Sequence, residues 1–403
     1  MARHADGWRL LRRPGAFRRL WLARVVSLVG DSVGLVALIL LVAEETGDGV
    51  SVGLLLLAAD GTATLLSPLL GVVADRTSRR RTMIACELGQ ALAIGTIALL
   101  LPALPVLLGL VAAQSVLAAT FQAASRSAVA ELVDDAELEG ANAVLGAGTY
   151  GLEVAGPLLV ALLLPVLSVP GVLVLDALTF LVSPLLLGGL PRLRPAGRAA
   201  AAPGLARQAA AGLRVLWRQR LLRAVSLGFL VVVAFNGVDD VALVFLGRET
   251  LRATDAATSL LYAGSGLGLL VGFAVLARRG GRGAPSVAAV AGLAWSSAGN
   301  LLTGLAPVLG AAFAMQVVRG GGLSLVDVGT TTLVQRSVPA ELRGRAFANL
   351  YGGVGLAAAV SYAVGGPLLE LLSPRGLLVL AGGGGIAASA ATALAVRGAR
   401  GRR

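Results

Sequence analysis

The sequence predicts an all-helical membrane protein, twelve transmembrane helices in two pseudo-symmetric bundles of six. Three observations predict it. Hydrophobic residues make up 56% of the chain, charged residues 14%, and the mean hydropathy is +0.83, whereas a soluble globular domain carries about 25% charged residues. Apolar stretches long enough to cross a bilayer, about 20 residues each, recur from end to end. Two segments also return in one register 210 positions on: Arg126-Ser127-Ala128-Val129-Ala130-Glu131-Leu132 as Arg336-Ser337-Val338-Pro339-Ala340-Glu341-Leu342, and Gly156-Pro157-Leu158-Leu159 as Gly366-Pro367-Leu368-Leu369. Matches of Leu, Ala and Gly mean little in a chain this rich in them. The matched Arg, Ser, Glu and Pro, with the same gap, indicate an internal duplication of half the chain.

Twelve apolar stretches place the spans at 21–43, 50–74, 82–101, 104–124, 140–164, 169–190, 224–246, 257–277, 285–304, 306–328, 346–371 and 376–396. They are too long and too rich in Leu, Ala and Gly for the alternating strands of a barrel. Residues 1–20 mix Trp8, Leu10, Leu11 and Phe17 with arginines, which suits a short helix on the inner membrane surface. This segment is not expected to be a cleavable signal peptide, because six arginines precede a full-length span. Residues 191–223 form the longest polar break and divide the chain into a bundle at 1–190 and a bundle at 224–403. The first part of the break, Pro191 to Pro203, is a Pro/Ala/Arg linker. The second is amphipathic, with Leu205, Leu213, Leu216 and Trp217 on one side and Arg207, Arg214 and Arg218 on another. Gly264, Gly268 and Gly272 lie four apart on span 8 and predict a close helix-packing seam.

The net charge of +12 invites a nucleic-acid partner, but its placement argues for topology instead. Every basic residue besides His4 is Arg. The arginines gather at the N-terminus, after span 2, in the central linker, after spans 8 and 10, and at the C-terminus. The intervening loops carry few, among them Arg248, Arg252 and Arg375. This is the positive-inside pattern, with both termini cytoplasmic. The single Cys86 excludes an internal disulfide and reads as a buried inert thiol. No phosphate loop, metal-ligand cluster or nucleophile elbow occurs, so neither an enzyme nor a cofactor is expected.

The loop after span 2 reads Gly71-Val72-Val73-Ala74-Asp75-Arg76-Thr77-Ser78-Arg79-Arg80. It resembles the signature of the major facilitator superfamily, Gly-x-x-x-Asp-Arg-x-Gly-Arg-Arg/Lys, with Gly71, Asp75, Arg76, Arg79 and Arg80 matching and Ser78 replacing the second glycine. Gly156-Pro157 in span 5 resembles the family's antiporter motif, with Leu152 in place of its first Gly and Val160-Ala161 in place of its last two. Phe17-Arg18-Arg19-Leu20-Trp21, Asp31, Leu175-Asp176-Ala177-Leu178-Thr179-Phe180, Asp327 and Glu341-Leu342-Arg343-Gly344-Arg345 look like bacterial drug-efflux members. The resemblance implies secondary transport by alternating access. In that scheme Asp75 docks at a helix end as a conformational latch, and Gly156-Pro157 acts as a gating element. The second half has Leu276 near the Asp75 position, so the latch is one-sided.

Carboxylates inside spans are costly unless they face a cavity or a partner. The candidates are Asp31, Asp60, Glu87, Glu153, Asp176, the pair Asp239-Asp240, and Asp327, against two intramembrane cations, Arg24 and Arg319. Asp31, Asp60 and Glu153 are selected as proton-coupling or cavity residues. Asp31 lies mid-span, Asp60 faces the outer half, and Glu153 precedes the Gly156-Pro157 bend by one turn. Asp176 and Asp327 are read as structural first. Glu131 and Glu341, with Arg126 and Arg336, read equally as gate ion pairs or as a solvated surface. The function expected is proton-coupled export of a lipophilic small molecule, such as a drug or secondary metabolite, by a monomer whose partners are the lipid bilayer, the substrate and protons. A metabolite importer or facilitator of the same fold is the alternative, followed by a non-transporting membrane sensor.

Overall fold

A computed structural model describes residues 7–64, 66, 78–134, 137–191, 205–279 and 284–400. Among these the secondary structure is helical throughout: α1 (Gly7–Arg12), α2 (Ala16–Thr46), α3 (Gly49–Leu56), α4 (Arg79–Leu100), α5 (Leu104–Leu132), α6 (Leu138–Leu163), α7 (Val169–Gly188), α8 (Leu205–Arg218), α9 (Arg220–Asn236), α10 (Asp239–Phe245), α11 (Asp255–Arg279), α12 (Pro285–Leu305), α13 (Leu309–Ser337), α14 (Ala340–Leu371) and α15 (Pro374–Arg400). Local chemistry sets several ends. Asp48 caps α3, its carboxylate accepting from the Ser51 backbone N–H at 2.7 Å, and Ser168 caps α7 through the Gly171 N–H. Proline sits in the first turn of α5, α7 and α12, where its missing N–H costs nothing. A left-handed Leu101 (φ 42°) stops α4.

Among the described residues nine helical segments are long and apolar enough to span a bilayer. The stretches at 50–74, 140–164 and 285–304 are not among them. The first is helical from Gly49 to Thr64 and then leaves the described residues. α6 and α12 are nonetheless continuous helices of 26 and 21 residues. α12 buries Ser286, Ser296, Ser297, Asn300 and Thr303, as befits a helix whose polar face turns into its own bundle.

Two spans depart from regular geometry. The seventh, expected as one helix at 224–246, breaks at Gly237-Val238 between α9 and α10 and ends in a π-helical turn, Leu246–Thr250. The second passes into a π-helical turn at Leu57–Gly61. Asp60, expected on a regular span facing the outer half, lies within that π-helical turn.

Two compact units emerge from the packing: Met1–Val42 with Ala58–Ala201, and Ala43–Leu57 with Ala202–Arg403. The chain boundary near 201 falls inside the expected linker. The segment 43–57, assigned from sequence to the first bundle, groups with the second unit. Its contact there is glycine on glycine: a Cβ at Gly366 of α14 would lie 2.6 Å from the Gly49 carbonyl oxygen, and one at Gly53 would lie 2.5 Å from the Tyr362 carbonyl oxygen. In the first unit, α4 packs against α5 and α7, and Gly156 lets α6 reach the α2 backbone, where a Cβ would sit 2.8 Å from the Ser32 carbonyl oxygen. In the second unit, α13 packs between α11 and α12. Gly264, Gly268 and Gly272 face α13 at Gln316, Val317 and Ser324, the seam their spacing predicts.

Candidate functional site

In the first unit, α2 presents Arg24, Ser27, Leu28 and Asp31 on one face, the i, i+3, i+4, i+7 set of a helix stripe. Together with Gln90 of α4 and Ala118, Phe121 and Gln122 of α5 they line a small polar recess. Arg24 is buried and donates to the Ser125 hydroxyl at 2.5 Å. Asp31 accepts from the Gln114 amide at 2.8 Å. The Gln90 amide nitrogen donates to the Cys86 carbonyl, while its buried carbonyl oxygen makes no hydrogen bond.

Two further acids stand close to Asp31. Glu87 of α4 is 0% exposed and Asp176 of α7 is 2% exposed. Both oxygens of Glu87 and Oδ1 of Asp176 lack a hydrogen bond of acceptable geometry, although the Ser27 and Ser183 hydroxyls lie close to Glu87. Asp176 interacts electrostatically with both Asp31 and Glu87. It reaches them through a notch in α2: Gly30 and Gly34 leave the space that its carboxylate occupies, and a Cβ at either would overlap it. Among the described residues no arginine is ion-paired to any of the three.

Sequence reasoning selected Asp31 but gave Glu87 no role and read Asp176 as structural. The available signal was the i, i+4 spacing of Gly30 and Gly34 beside Asp31. The remaining sequence candidates lie elsewhere. Asp60 is exposed within its π-helical turn. Glu153 lies on α6, one turn before Pro157, and its side chain is outside the described residues. α6 continues through Pro157 as one helix.

The signature loop is described only from Ser78 onward, so Gly71, Asp75 and Arg76 fall outside. Arg79 is buried and ion-paired with Glu131 at the end of α5; Arg126, the partner considered from sequence, is exposed. Arg80 donates to the carbonyls of Gly188 and, at 2.9 Å, Leu190, and Arg19 donates to that of Gly189 at 2.5 Å. Two guanidiniums thus satisfy the carbonyls left open at the C-terminus of α7, where the helix dipole also favours cations.

The second unit has its own polar centre at the break in span 7. Asp239, 1% exposed, forms an ion pair with Arg319 of α13, with Asn300 alongside. Gly299 gives Arg319 its room, because a Cβ there would lie 2.7 Å from the Arg319 Cα. The Tyr262 hydroxyl donates to the Asp240 carbonyl at 2.7 Å and the Tyr362 hydroxyl to the Asp240 carboxylate at 3.2 Å. Asn236 donates to the Ser297 hydroxyl at 2.9 Å. A discontinuous helix with polar groups at its break is how transporters commonly present a mid-membrane site. At the far end of this unit, Arg248 makes a paired contact to Asp255 (2.6 and 2.9 Å) and reaches Glu44 at 3.3 Å. Asp327 accepts from the Tyr351 hydroxyl at 3.1 Å.

Known proteins share this architecture. The chain is 27% identical over 378 residues to the uncharacterized MFS-type transporter YfiS of Bacillus subtilis (strain 168), covering 90% of this chain and 88% of the relative. A crystal structure of the nucleoside transporter NupG superimposes with a TM-score of 0.71 at 14% identity, over 96% of this chain and 98% of that one. A POT family transporter in complex with 5-aminolevulinic acid superimposes with a TM-score of 0.74 at 11% identity, over 95% and 96%. At such identities these two likenesses concern the fold. The profile of the Major Facilitator Superfamily matches residues 20–247, more than half the chain. A multi-pass helical chain with buried acids in one unit, an ion pair at a broken span in the other and this match is a membrane transporter that belongs to the major facilitator superfamily.

Proposed function

We propose that the protein is a proton-coupled exporter of lipophilic small molecules, working by alternating access as a monomer with both termini cytoplasmic. The observation that carries this reading is the group Asp31, Glu87 and Asp176. Asp31 lines the recess, while Glu87 and Asp176 stand behind it without arginine partners among the described residues. Three carboxyls gathered in a membrane interior cannot all remain charged at tolerable cost, so the group holds protons. Movement of a proton between buried Glu87 and recess-lining Asp31 then links protonation to whatever occupies the recess. Phe121, Leu28 and Ala118 give the recess an apolar wall and Asp31 an acidic end; in this state it has room for about one water, so an amphipathic or cationic substrate enters only when the bundle opens. Gly156-Pro157 and the Gly71–Arg80 loop serve as the moving and latching elements, and Glu153 as a second proton-site candidate.

Inverted membrane vesicles test direction and coupling together. Uptake of a lipophilic cation from a broad drug panel should require an imposed pH gradient. Asp31→Asn and Glu87→Gln should abolish the concentrative component while leaving exchange intact. Drug accumulation unchanged across the panel, together with no proton-linked flux from purified protein, refutes export; uptake in the opposite direction replaces it with import.

A further inference from the structure

Helix α8, between the two halves of the chain, has three faces where a surface helix normally has two. Gly212 and Leu216 face the second unit. Gly212 lies against the Arg345 carbonyl of α14, 2.5 Å from where its Cβ would stand, and Leu216 is 4% exposed in a cluster with Leu222, Val338, Ala346 and Leu350. One position on, Leu213 and Trp217 are 49% and 51% exposed. One position further, Arg214 and Arg218 are exposed, and Arg220 begins the next helix equally exposed. At 100° per residue these are adjacent stripes: protein, apolar, cationic.

A helix between protein and water needs no outward apolar stripe. Here that stripe is turned away from the unit while Leu216 is already buried in it. The level is that of the helix ends: Gln219 donates to the Ser337 carbonyl at 2.5 Å, at the end of α13. After the extended Gln219, α9 begins a membrane span and also carries exposed apolar residues, Leu227 and Val231. Residues 191–223 contain eight arginines and no Asp or Glu.

We propose that α8 is an interfacial strap that binds anionic phospholipid: Leu213 and Trp217 enter the lipid, and Arg214, Arg218 and Arg220 meet the phosphates. Charge complementarity favours anionic over zwitterionic headgroups, and tryptophan beside arginine is the usual composition of the interface. Each arginine near the surface contributes about fivefold to the preference, ~1 kcal/mol converted by RT. The strap lies on the first turns of α14 through Gly212, so headgroup binding acts on a span directly. The inference is independent of substrate and of proton coupling.

The test uses the full chain in proteoliposomes of phosphatidylcholine and phosphatidylglycerol, with bromine on the acyl chains of one lipid or the other. The emission difference between wild type and Trp217→Phe isolates the Trp217 signal from Trp8, Trp21 and Trp295. Brominated phosphatidylglycerol should quench it more than brominated phosphatidylcholine, and added salt should weaken the preference. Replacing Arg214, Arg218 and Arg220 together by Gln, which keeps helix propensity, should bring the two lipids level while the protein still elutes as wild type. Equal quenching in wild type, a preference that survives the triple substitution, or no quenching by either lipid overturns the proposal; the last result gives the face to water or to a protein partner.

Discussion

Replacing Gly320 by Ala, beside the same replacement at Gly321, tests the packing of the second unit with one methyl group. The two glycines are neighbours on α13 and meet opposite surroundings. A Cβ at Gly320 would overlap the Ser265 carbonyl oxygen of α11 and lie 2.7 Å from the Leu269 nitrogen and 2.8 Å from the Ser265 carbonyl carbon. A Cβ at Gly321 would meet nothing within 4 Å. The contact is reciprocal, since a Cβ at Gly268 would lie 2.8 Å from the Val317 carbonyl carbon and 3.0 Å from the Gly320 Cα. All these atoms are backbone, so no side chain can swing aside and the two helices must part. Overpacking in a close-packed interior costs about 1–3 kcal/mol, and a backbone-on-backbone clash belongs at the upper end. Gly321→Ala instead gains helix propensity, up to about 1 kcal/mol. The pair should therefore differ by roughly 3–4 kcal/mol in favour of Gly321→Ala. Thermal unfolding of the purified protein in detergent, followed by loss of the monodisperse elution peak, reads the difference. Equal stability of the two variants would refute the argument that α11 and α13 touch along their backbones.

Breaking the Asp239–Arg319 pair from one side should be worse than removing both charges. Arg319→Ala leaves a buried carboxylate and should cost about 3–5 kcal/mol, and adding Asp239→Asn should recover most of it in the same unfolding assay. Arg80→Ala removes bonds to two carbonyls at the end of α7 and should cost about 1–2 kcal/mol, whereas the exposed Arg81→Ala should be silent. At Asp48 burial raises the carboxyl pKa, but the Ser51 backbone and hydroxyl bonds outweigh it and hold the group below its usual value. A depressed carboxylate stabilises the fold above the unfolded pKa, and the benefit disappears as pH falls through the folded one. Asp48→Ala should cost about 1 kcal/mol at neutral pH and little in acid, so its unfolding temperature should converge with that of wild type on acidification.

Spacing alone made some of this legible. Gly264, Gly268 and Gly272 repeat every fourth residue, and a helix can do only one thing with that pattern: present a groove. The break in span 7 was missed although Asn236-Gly237 and Asp239-Asp240 interrupt its apolar run, because overall span length and hydropathy survive the interruption. Arg79 and Arg80 were visible as motif residues, yet their partners at Glu131 and at 188–190 lie far along the chain and come from helix ends whose open carbonyls no local pattern reveals.

The sequence by itself determined the class of molecule. Apolar length, arginine placement and the 210-residue repeat leave only a duplicated helical membrane protein, because a bilayer admits so few ways to satisfy a backbone. Tertiary structure decided which charges meet. Asp31, Glu87 and Asp176 sit on three helices and become one group only where Gly30 and Gly34 open α2 to the Asp176 carboxylate. Asp239 finds Arg319 only because Gly299 leaves room for it. Span formation depends on each segment's own hydropathy, whereas a buried charge depends on what other segments bring beside it.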